Sequence, residues 1–360
     1  MSSSLVSNNR SHHENTFIRL GSSSPVTQLQ IKKSGIRPSF YNKWPQTSCG
    51  FPELDKALGG GIPIGSLFIL LEDEPTTIYQ SILDVFMAQG IAHRHTVGLA
   101  CSDKDPTQVL RNIPKRRTGT RTTAKETTTE TFTNLKIAWR YAQSSKGQIQ
   151  EATTPDIVSG PAYSHSFDLT EPEDAKQLEK ALISCFGDDC WSYDSMLDHM
   201  KQHILHSEER GFMSRLIIRS FASSFWEEAT YEQLVQFLLL FRRIIRKSTQ
   251  GCVAMISVSK LSLQKFPSLQ AALFHLGDVV LELDSCQGRG TRELGLGNFH
   301  AVASIRKLPR IGSFNTFRPL CSTFVLKRKR RSIEWQVAHS SPEEDNEHTR
   351  SFETGKSFDF

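Results

Sequence analysis

The stretch that most limits how this chain can fold is Thr47–Ser66. It reads Thr-Ser-Cys-Gly-Phe-Pro-Glu-Leu-Asp-Lys-Ala-Leu-Gly-Gly-Gly-Ile-Pro-Ile-Gly-Ser and runs straight into Leu67-Phe-Ile-Leu-Leu71. Gly50 frees a turn, and Pro52 opens a short helix carrying Leu54 and Leu58. Gly59-Gly60-Gly61 then breaks that helix and reverses the chain, because such a turn needs positive φ angles that only glycine tolerates. Pro63 and Gly65 hold a second tight turn. The apolar run that follows is short and bounded by turn residues, which predicts a buried strand.

A small helix, a triple glycine, Gly-Ser and a buried strand resemble the start of RecA-like ATPase domains, where the strand delivers a phosphate-binding loop. That loop needs glycines so that backbone N–H groups can wrap the phosphates, and a lysine to neutralise them, in the pattern G-x-x-x-x-G-K-[ST]. Here the strand is followed by Glu72-Asp73-Glu74-Pro75-Thr76-Thr77-Ile78-Tyr79, without glycine or lysine and with three carboxylates. Acids suit the N-terminus of the next helix by capping and dipole compensation, and they repel a triphosphate. The expected fold is therefore α/β, a RecA-like, mostly parallel sheet with a degenerate P-loop.

At 360 residues and 38% hydrophobic, the chain can bury a large core, about 250–300 residues of one domain with insertions and tails. No run of about 20 apolar residues reads as a membrane span; Leu238-Leu-Leu-Phe241 ends in arginines. The N-terminus has no apolar signal-peptide core. Seven scattered cysteines form no C-x-x-C pair, which points to free thiols in a reducing compartment and away from disulfides or zinc.

In chain order, residues 1–43 read as a disordered polar arm, with Ile36-Arg37-Pro38-Ser39 as an extended lead into a domain over 44–339. A helix over about Ile78–His93 shows Ile78, Ile82, Val85 and Phe86 on one face, and Val97–Cys101 reads as a second strand. Pro106 opens a short helix ending near Arg111. Loop insertions are expected at about 112–134 and 144–163, the first including the basic, Thr-rich run Lys115–Lys125. Between them, Leu135–Tyr141 reads as ordered and amphipathic. His165 with Asp168 has no nucleophile placed beside it, so an ordinary polar turn is the better reading than acid–base chemistry. A helix over about Tyr193–Arg210 turns Met196, Leu197, Met200 and Ile204 inward and stops at Gly211. His199, His203 and His206 lie near one another but in no H-E-x-x-H pattern, and a polar outer face explains them better than metal.

Arg215–Ser220 reads as the next strand. In RecA-like ATPases the comparable strand ends in an acid that holds magnesium through water; here it ends in Ser220, followed by Phe-Ala-Ser-Ser-Phe-Trp226. Tyr231–Lys247 is the clearest helix, with Leu234, Phe237, Leu238, Phe241, Ile244 and Ile245 at three- and four-residue spacing. Arg242, Arg243, Arg246 and Lys247 at its end compensate the dipole, with a subunit-facing arginine as the alternative. Cys252–Val258 and Val279–Leu283 read as strands around a helical cover over Leu261–Leu276. This alternation is that of a mostly parallel sheet. Phe299–Arg310, Ser322–Arg331 and Ser332–Val337 then read as antiparallel strands. The run Lys327–Arg331 fits a nuclear-import or nucleic-acid patch, or a basic hairpin turn, the stronger reading. Residues 340–360 form an acidic, polar tail.

Several of these segments together carry a more specific resemblance. Gly50…Leu54-Asp55…Gly59-Gly-Gly-Ile-Pro, Lys136-Ile-Ala-Trp-Arg-Tyr141, Trp226, Ile305-Arg-Lys-Leu-Pro-Arg310, Leu326-Lys-Arg-Lys329, Ile333-Glu334 and the terminal Phe358-Asp-Phe360 are similar, in consistent order over roughly 36–340, to the PAXNEB family, the fourth subunits of Elongator complexes. The Lys115–Lys125 loop and the acidic tail follow no motif of that family, and Trp335–His339 departs from its Leu- and Pro-rich ending. The resemblance implies a RecA-like fold without a proper P-loop, assembled with the fifth and sixth subunits into a six-membered ring. It implies that the ring binds tRNA and serves the Elongator catalytic core, which modifies wobble uridines, in the cytoplasm and nucleus. It implies no catalytic, cofactor-binding or metal residue in this chain, and ATP at subunit junctions is not expected from it.

Candidate tRNA or subunit contacts are Arg116, Arg117 and Arg121 in the basic loop, Arg242, Arg243 and Arg246, and Lys327, Arg328 and Lys329. The non-catalytic reading predicts strongly salt-dependent tRNA affinity for the assembled ring. The alternatives are a divergent RecA-like ATPase acting on DNA or as a KaiC-like regulator, against which the absent lysine speaks, and a transcription-linked nuclear adaptor using Lys327–Arg331 for import.

Overall fold

The computed structural model describes residues 33–73, 75–117, 162–186, 192–286, 299–312 and 317–338. Arg121, the Leu135–Tyr141 segment, most of the insertion over 144–163 and the acidic tail lie outside them.

The chain opens with β1 (Ile36–Pro38) and β2 (Pro45–Thr47), then α1 (Pro52–Ala57), β3 (Ile62–Pro63) and β4 (Leu67–Glu72). The glycine turn forms as its sequence requires: Gly59, Gly60 and Gly61 take φ of 85°, 123° and 142°. Asp55 ties it down from α1, accepting hydrogen bonds from Ser48 Oγ at 2.5 Å and from the Cys49 amide at 2.9 Å. After β4 come α2 (Ile78–Ala92), β5 (Thr96–Ala100), α3 (Pro106–Arg111), β6 (Pro114–Arg116), β7 (Phe167–Pro172), α4 (Ala175–Lys180) and β8 (Ile183–Phe186). Next are α5 (Tyr193–Glu209), β9 (Ser214–Ile218), α6 (Tyr231–Lys247), β10 (Cys252–Ser259), α7 (Lys260–Lys265), α8 (Pro267–Leu276) and β11 (Val279–Ser285). Three strands finish the order: β12 (Ala301–Lys307), β13 (Thr323–Arg328) and β14 (Ile333–Val337).

The main sheet has nine strands in the order β14-β13-β12-β11-β4-β10-β9-β5-β8. From β11 to β8 every pairing is parallel; β11–β12, β12–β13 and β13–β14 are antiparallel. This is a RecA-like α/β arrangement with β4, the strand that would carry a phosphate loop, at its centre. Strands covered on both faces need continuous apolar runs, and every residue of β4, β5 and β9 is buried. Alternate side chains of β4 feed two separate cores. Phe68 and Leu70 pack with Ile78, Ile82 and Phe86 of α2; Leu67, Ile69 and Leu71 pack with Met196, Leu234 and Leu269 of α5, α6 and α8. Phe237 and Phe241 of the α6 stripe stack in series with Phe221 from the turn after β9, with ring centroids 5.4 and 5.5 Å apart. Thr230 and Gln233 close a reciprocal capping box at its start.

The structure departs from the sequence reading in several places. The first residues of the basic run are a strand, not a loop: β6 pairs antiparallel with β7, so Lys115 lies opposite Asp168 and Arg116 opposite Phe167. His165–Asp168, expected as a polar turn, runs into β7, which already includes Phe167 and Asp168. The cover over Leu261–Leu276 is two helices, because Pro267 cannot continue α7 and instead starts α8. His203 does not belong to a polar outer face; it is buried, with Nδ1 3.0 Å from Ser184 Oγ of β8.

Candidate functional site

In a parallel α/β sheet the ligand site is expected beyond the carboxyl ends of the strands. Here that edge is filled by the chain itself. Glu72 ends β4 in a buried position and accepts a 3.1 Å hydrogen bond from Ser220 Oγ; burial raises the pKa of its carboxyl. Arg219, directly after β9, is 1% exposed and points between two acids. Its Nε and Nη2 donate to Asp103 at 3.3 Å each, and Nη1 lies 3.8 Å from Asp84 of α2. Burial opposes the charge of Arg219, but the hydrogen bond and charge of Asp103, with Asp84, raise its pKa on balance. Burial pushes the carboxyl of Asp84 up to about 7 despite that guanidinium. Trp226 Nε1 closes the turn, donating to the carbonyls of Arg219 and Ser220 at 3.1 and 3.0 Å, and Ser220 and Ala222 hold φ of 46° and 60° to make it. The position expected to end in Ser220 thus presents a buried cation that is already neutralised. Further out, Lys260 is held by Asp284 and Glu282. The edge offers acids and consumed cations, the opposite of a phosphate cradle.

The basic run over Lys327–Arg331 is a hairpin between β13 and β14, closed by the Lys329 amide donating to the Ser332 carbonyl at 2.8 Å. Lys329 pairs with Glu334 at 2.7 Å, and Arg328 donates to Thr77 Oγ1 at 2.9 Å, beside the start of α2. Arg331 reaches Asp168 of β7 at 3.5 Å, and its carbonyl accepts from the Leu169 amide. These contacts bring Arg328 and Arg331 beside β7 and its partner β6, which carries Arg116, while Lys327, cross-strand from Glu334, lies on the other face of β13. Arg116 and Arg117 are exposed, while Lys115 is engaged by Asp174 at 2.9 Å.

The arginines of α6 lie elsewhere. Arg242 and Arg246 both donate to Asp278 Oδ1, at 2.8 and 2.7 Å, and Asp278 Oδ2 accepts from the Leu67 amide at 3.0 Å. Besides sitting at the carboxyl end of α6, they join it through Asp278 to the starts of β4 and β11; Arg243 stays exposed. They sit at the amino ends of the parallel strands, on a cleft of about 1000 Å³. Arg306, Lys307, Arg310 and Arg318 also line it, and sequence reasoning assigned none of these a role. The signal was present in Ile305-Arg-Lys-Leu-Pro-Arg310, read only as a similarity to a family.

Among known families, the PAXNEB protein model matches residues 29–358. This chain belongs to the PAXNEB family. Its relatives include Elongator complex protein 4 of Dictyostelium discoideum, 27% identical over 86% of this chain and 78% of that protein. The human Elongator complex protein 4 is 25% identical over 91% of this chain and 85% of its own length, and that of Saccharomyces cerevisiae 24% over 85% and 76%. Among solved structures, this PAXNEB chain is similar to the KaiC-like protein PH0186 of Pyrococcus horikoshii OT3, with a TM-score of 0.46 and 12% identity over 81% of this chain and 98% of that one. Among the described residues, no helix is long and apolar enough to cross a membrane.

Proposed function

We propose that this chain is a non-catalytic subunit of an Elongator-type complex. In this reading it assembles with the fifth and sixth subunits into a six-membered ring that presents tRNA to a catalytic core, for carboxymethyl-type modification of wobble uridines in the cytoplasm and nucleus. The observation that carries the reading is the self-filled carboxyl edge, in a chain matched along nearly its whole length by one family. Arg219 is held by Asp103 and Asp84, with Glu72 buried beside them, so the described residues around the end of β4 present acids where a triphosphate would need cations, which suits a scaffold. The exposed Arg116, Arg117 and Arg328, on the side where the hairpin meets β7, form the surface that suits a phosphate backbone, where cations act by releasing counterions, with Lys327 and Lys329 on the other face of the hairpin as further candidate contacts. Arg121, in the continuation of the same basic run, extends the proposal, and the exposed Arg243 suits a neighbouring subunit.

The experiment is mass spectrometry of tRNA nucleosides from cells lacking this chain. Loss of the carboxymethyl-type side chains on wobble uridine, restored by re-expression, is the expected result. Intact modifications would overturn the reading.

A further inference from the structure

The cleft at the amino edge of the sheet carries more positive charge than the chain's own structure uses. Among the described residues Asp278 is the only carboxylate lining it, and its oxygens are spent on Arg242, Arg246 and the Leu67 amide. Arg306 is answered from outside the cleft by Glu282 at 2.5 Å, and Lys307 Nζ donates to the carbonyls of Phe274 and His275 at 2.7 and 3.0 Å. Arg310 and Arg318, both exposed, have no acidic partner among the described residues. Burial lowers the pKa of Lys307; Asp278 opposes the shift, while the neighbouring guanidiniums of Arg242, Arg310 and Arg246 add to it. The loop bearing Arg310 is anchored by Asn42 Nδ2 donating to the Ile311 carbonyl at 3.0 Å.

The sequence supplies an anion of the right kind within reach. Pro342-Glu343-Glu344-Asp345-Asn346-Glu347 carries four carboxylates. The strand leading to it, β14, ends at the cleft's edge of the sheet. Val337 pairs with Phe324, and the Ala338 amide donates to Thr323, whose partner across β13–β12 is Ser304, three residues before Lys307. Two strand spacings separate β14 from β12, about 10 Å. The five residues from Ala338 to Glu343 span up to about 17 Å. A cleft of about 1000 Å³ is at the upper end of ligand-pocket sizes and has room for a short extended segment.

We propose that this cleft is the docking site of the chain's own acidic segment, residues 342–347, with Arg310 and Arg318 as its principal contacts. The contact is intramolecular and independent of membership in any complex.

The test uses full-length chain and a fluorescent peptide of residues 340–350, followed by anisotropy. The variant E343Q/E344Q/D345N/E347Q has a neutral tail and leaves the cleft open. It should bind the peptide about tenfold more tightly than the unaltered chain, whose tail competes at an effective concentration on the order of 1 mM. Adding R310S/R318S should abolish that binding, and R318E alone should weaken it, both with an unchanged melting temperature. Equal affinity for the unaltered and neutral-tail chains would overturn the proposal, as would binding that survives both R310S/R318S and R318E. If R310S/R318S weakens tRNA binding and leaves the peptide unaffected, the cleft is an RNA surface and the proposal falls. None of these outcomes bears on the nucleoside measurement, so the two readings fail separately.

Discussion

Arg215 shows how much a single residue can organise against expectation. It lies within β9 and is wholly buried, with no carboxylate in contact. Its guanidinium donates instead to His95 Nδ1 at 3.1 Å, the Phe86 carbonyl at 3.2 Å, Thr47 Oγ1 at 2.7 Å and the Ser48 carbonyl at 3.0 Å. It also lies over the Phe86 ring, 4.6 Å from its centroid. One cation thus ties β2, α2 and the residue leading into β5 to β9 of the central sheet, and burial lowers its pKa to about 10. The same burial, followed by the charge of Arg215, holds His93 down to about 4 and His95 well below its ordinary value. Both rings are therefore neutral in the folded chain where the unfolded chain already binds protons. Between pH 6.5 and 4 the unfolded state holds more protons, so stability is complete above about 6.5 and falls as the pH drops, by up to about 1.4 kcal/mol per pH unit for each histidine. Urea titrations across that window should show the decline, and H93Q should make it shallower. A flat profile for the unaltered chain would mean that these rings ionise freely.

At the scale of elements, the glycine turn was legible because its requirement is local: a reversal before a buried strand admits only residues that tolerate positive φ. The structure also separates the three glycines. A Cβ on Gly60 would meet the movable end of Gln46 at 2.7 Å, whereas one on Gly61 would meet Tyr163 Oη at 2.3 Å and the Thr47 carbonyl at 2.6 Å. G60V should cost more than about 1 kcal/mol from backbone strain alone. G61A, smaller as it is, should lower the melting temperature at least as much, since the strand carbonyl it strikes cannot give way. The buried parallel strands and α6 were legible for the same reason, being continuous apolar runs or a strong 3.6-residue stripe. β6, β7 and β8 were not. They are short and partly exposed, with charged residues such as Lys115, Asp168 and Glu171, and only cross-strand pairing reveals them. Of the site, the missing glycines and lysine could be read directly. The plug made by Arg219, Asp84 and Asp103 could not, since its members are far apart in sequence and meet only through the sheet order.

For the molecule as a whole, positive charge has moved away from the centre of the carboxyl edge. Around the end of β4, where an ATPase gathers cations, that edge holds acids and a neutralised arginine, while the β13–β14 hairpin on its flank and the cleft at the amino edge carry the open positive charge. Asp278 is the joint between the stability of the fold and the charge of that edge. Its side chain holds the start of β4 through the Leu67 amide, holds α6 through two arginines, and is the one carboxylate among the described residues that line the cleft. D278N keeps an oxygen for the Leu67 amide but removes the countercharge of Arg242 and Arg246. Breaking a pair whose acid is buried while its partners remain partly hydrated should cost about 1–3 kcal/mol, with the loss greatest at low salt. The same substitution leaves the cleft more positive, so the 340–350 peptide should bind D278N more tightly in the neutral-tail background. Stability and anion affinity are thus expected to move in opposite directions from one change of charge. If Asp278 were only a packing element, urea midpoints would fall with no gain in peptide affinity; if it were only a surface charge, affinity would rise with no loss of stability.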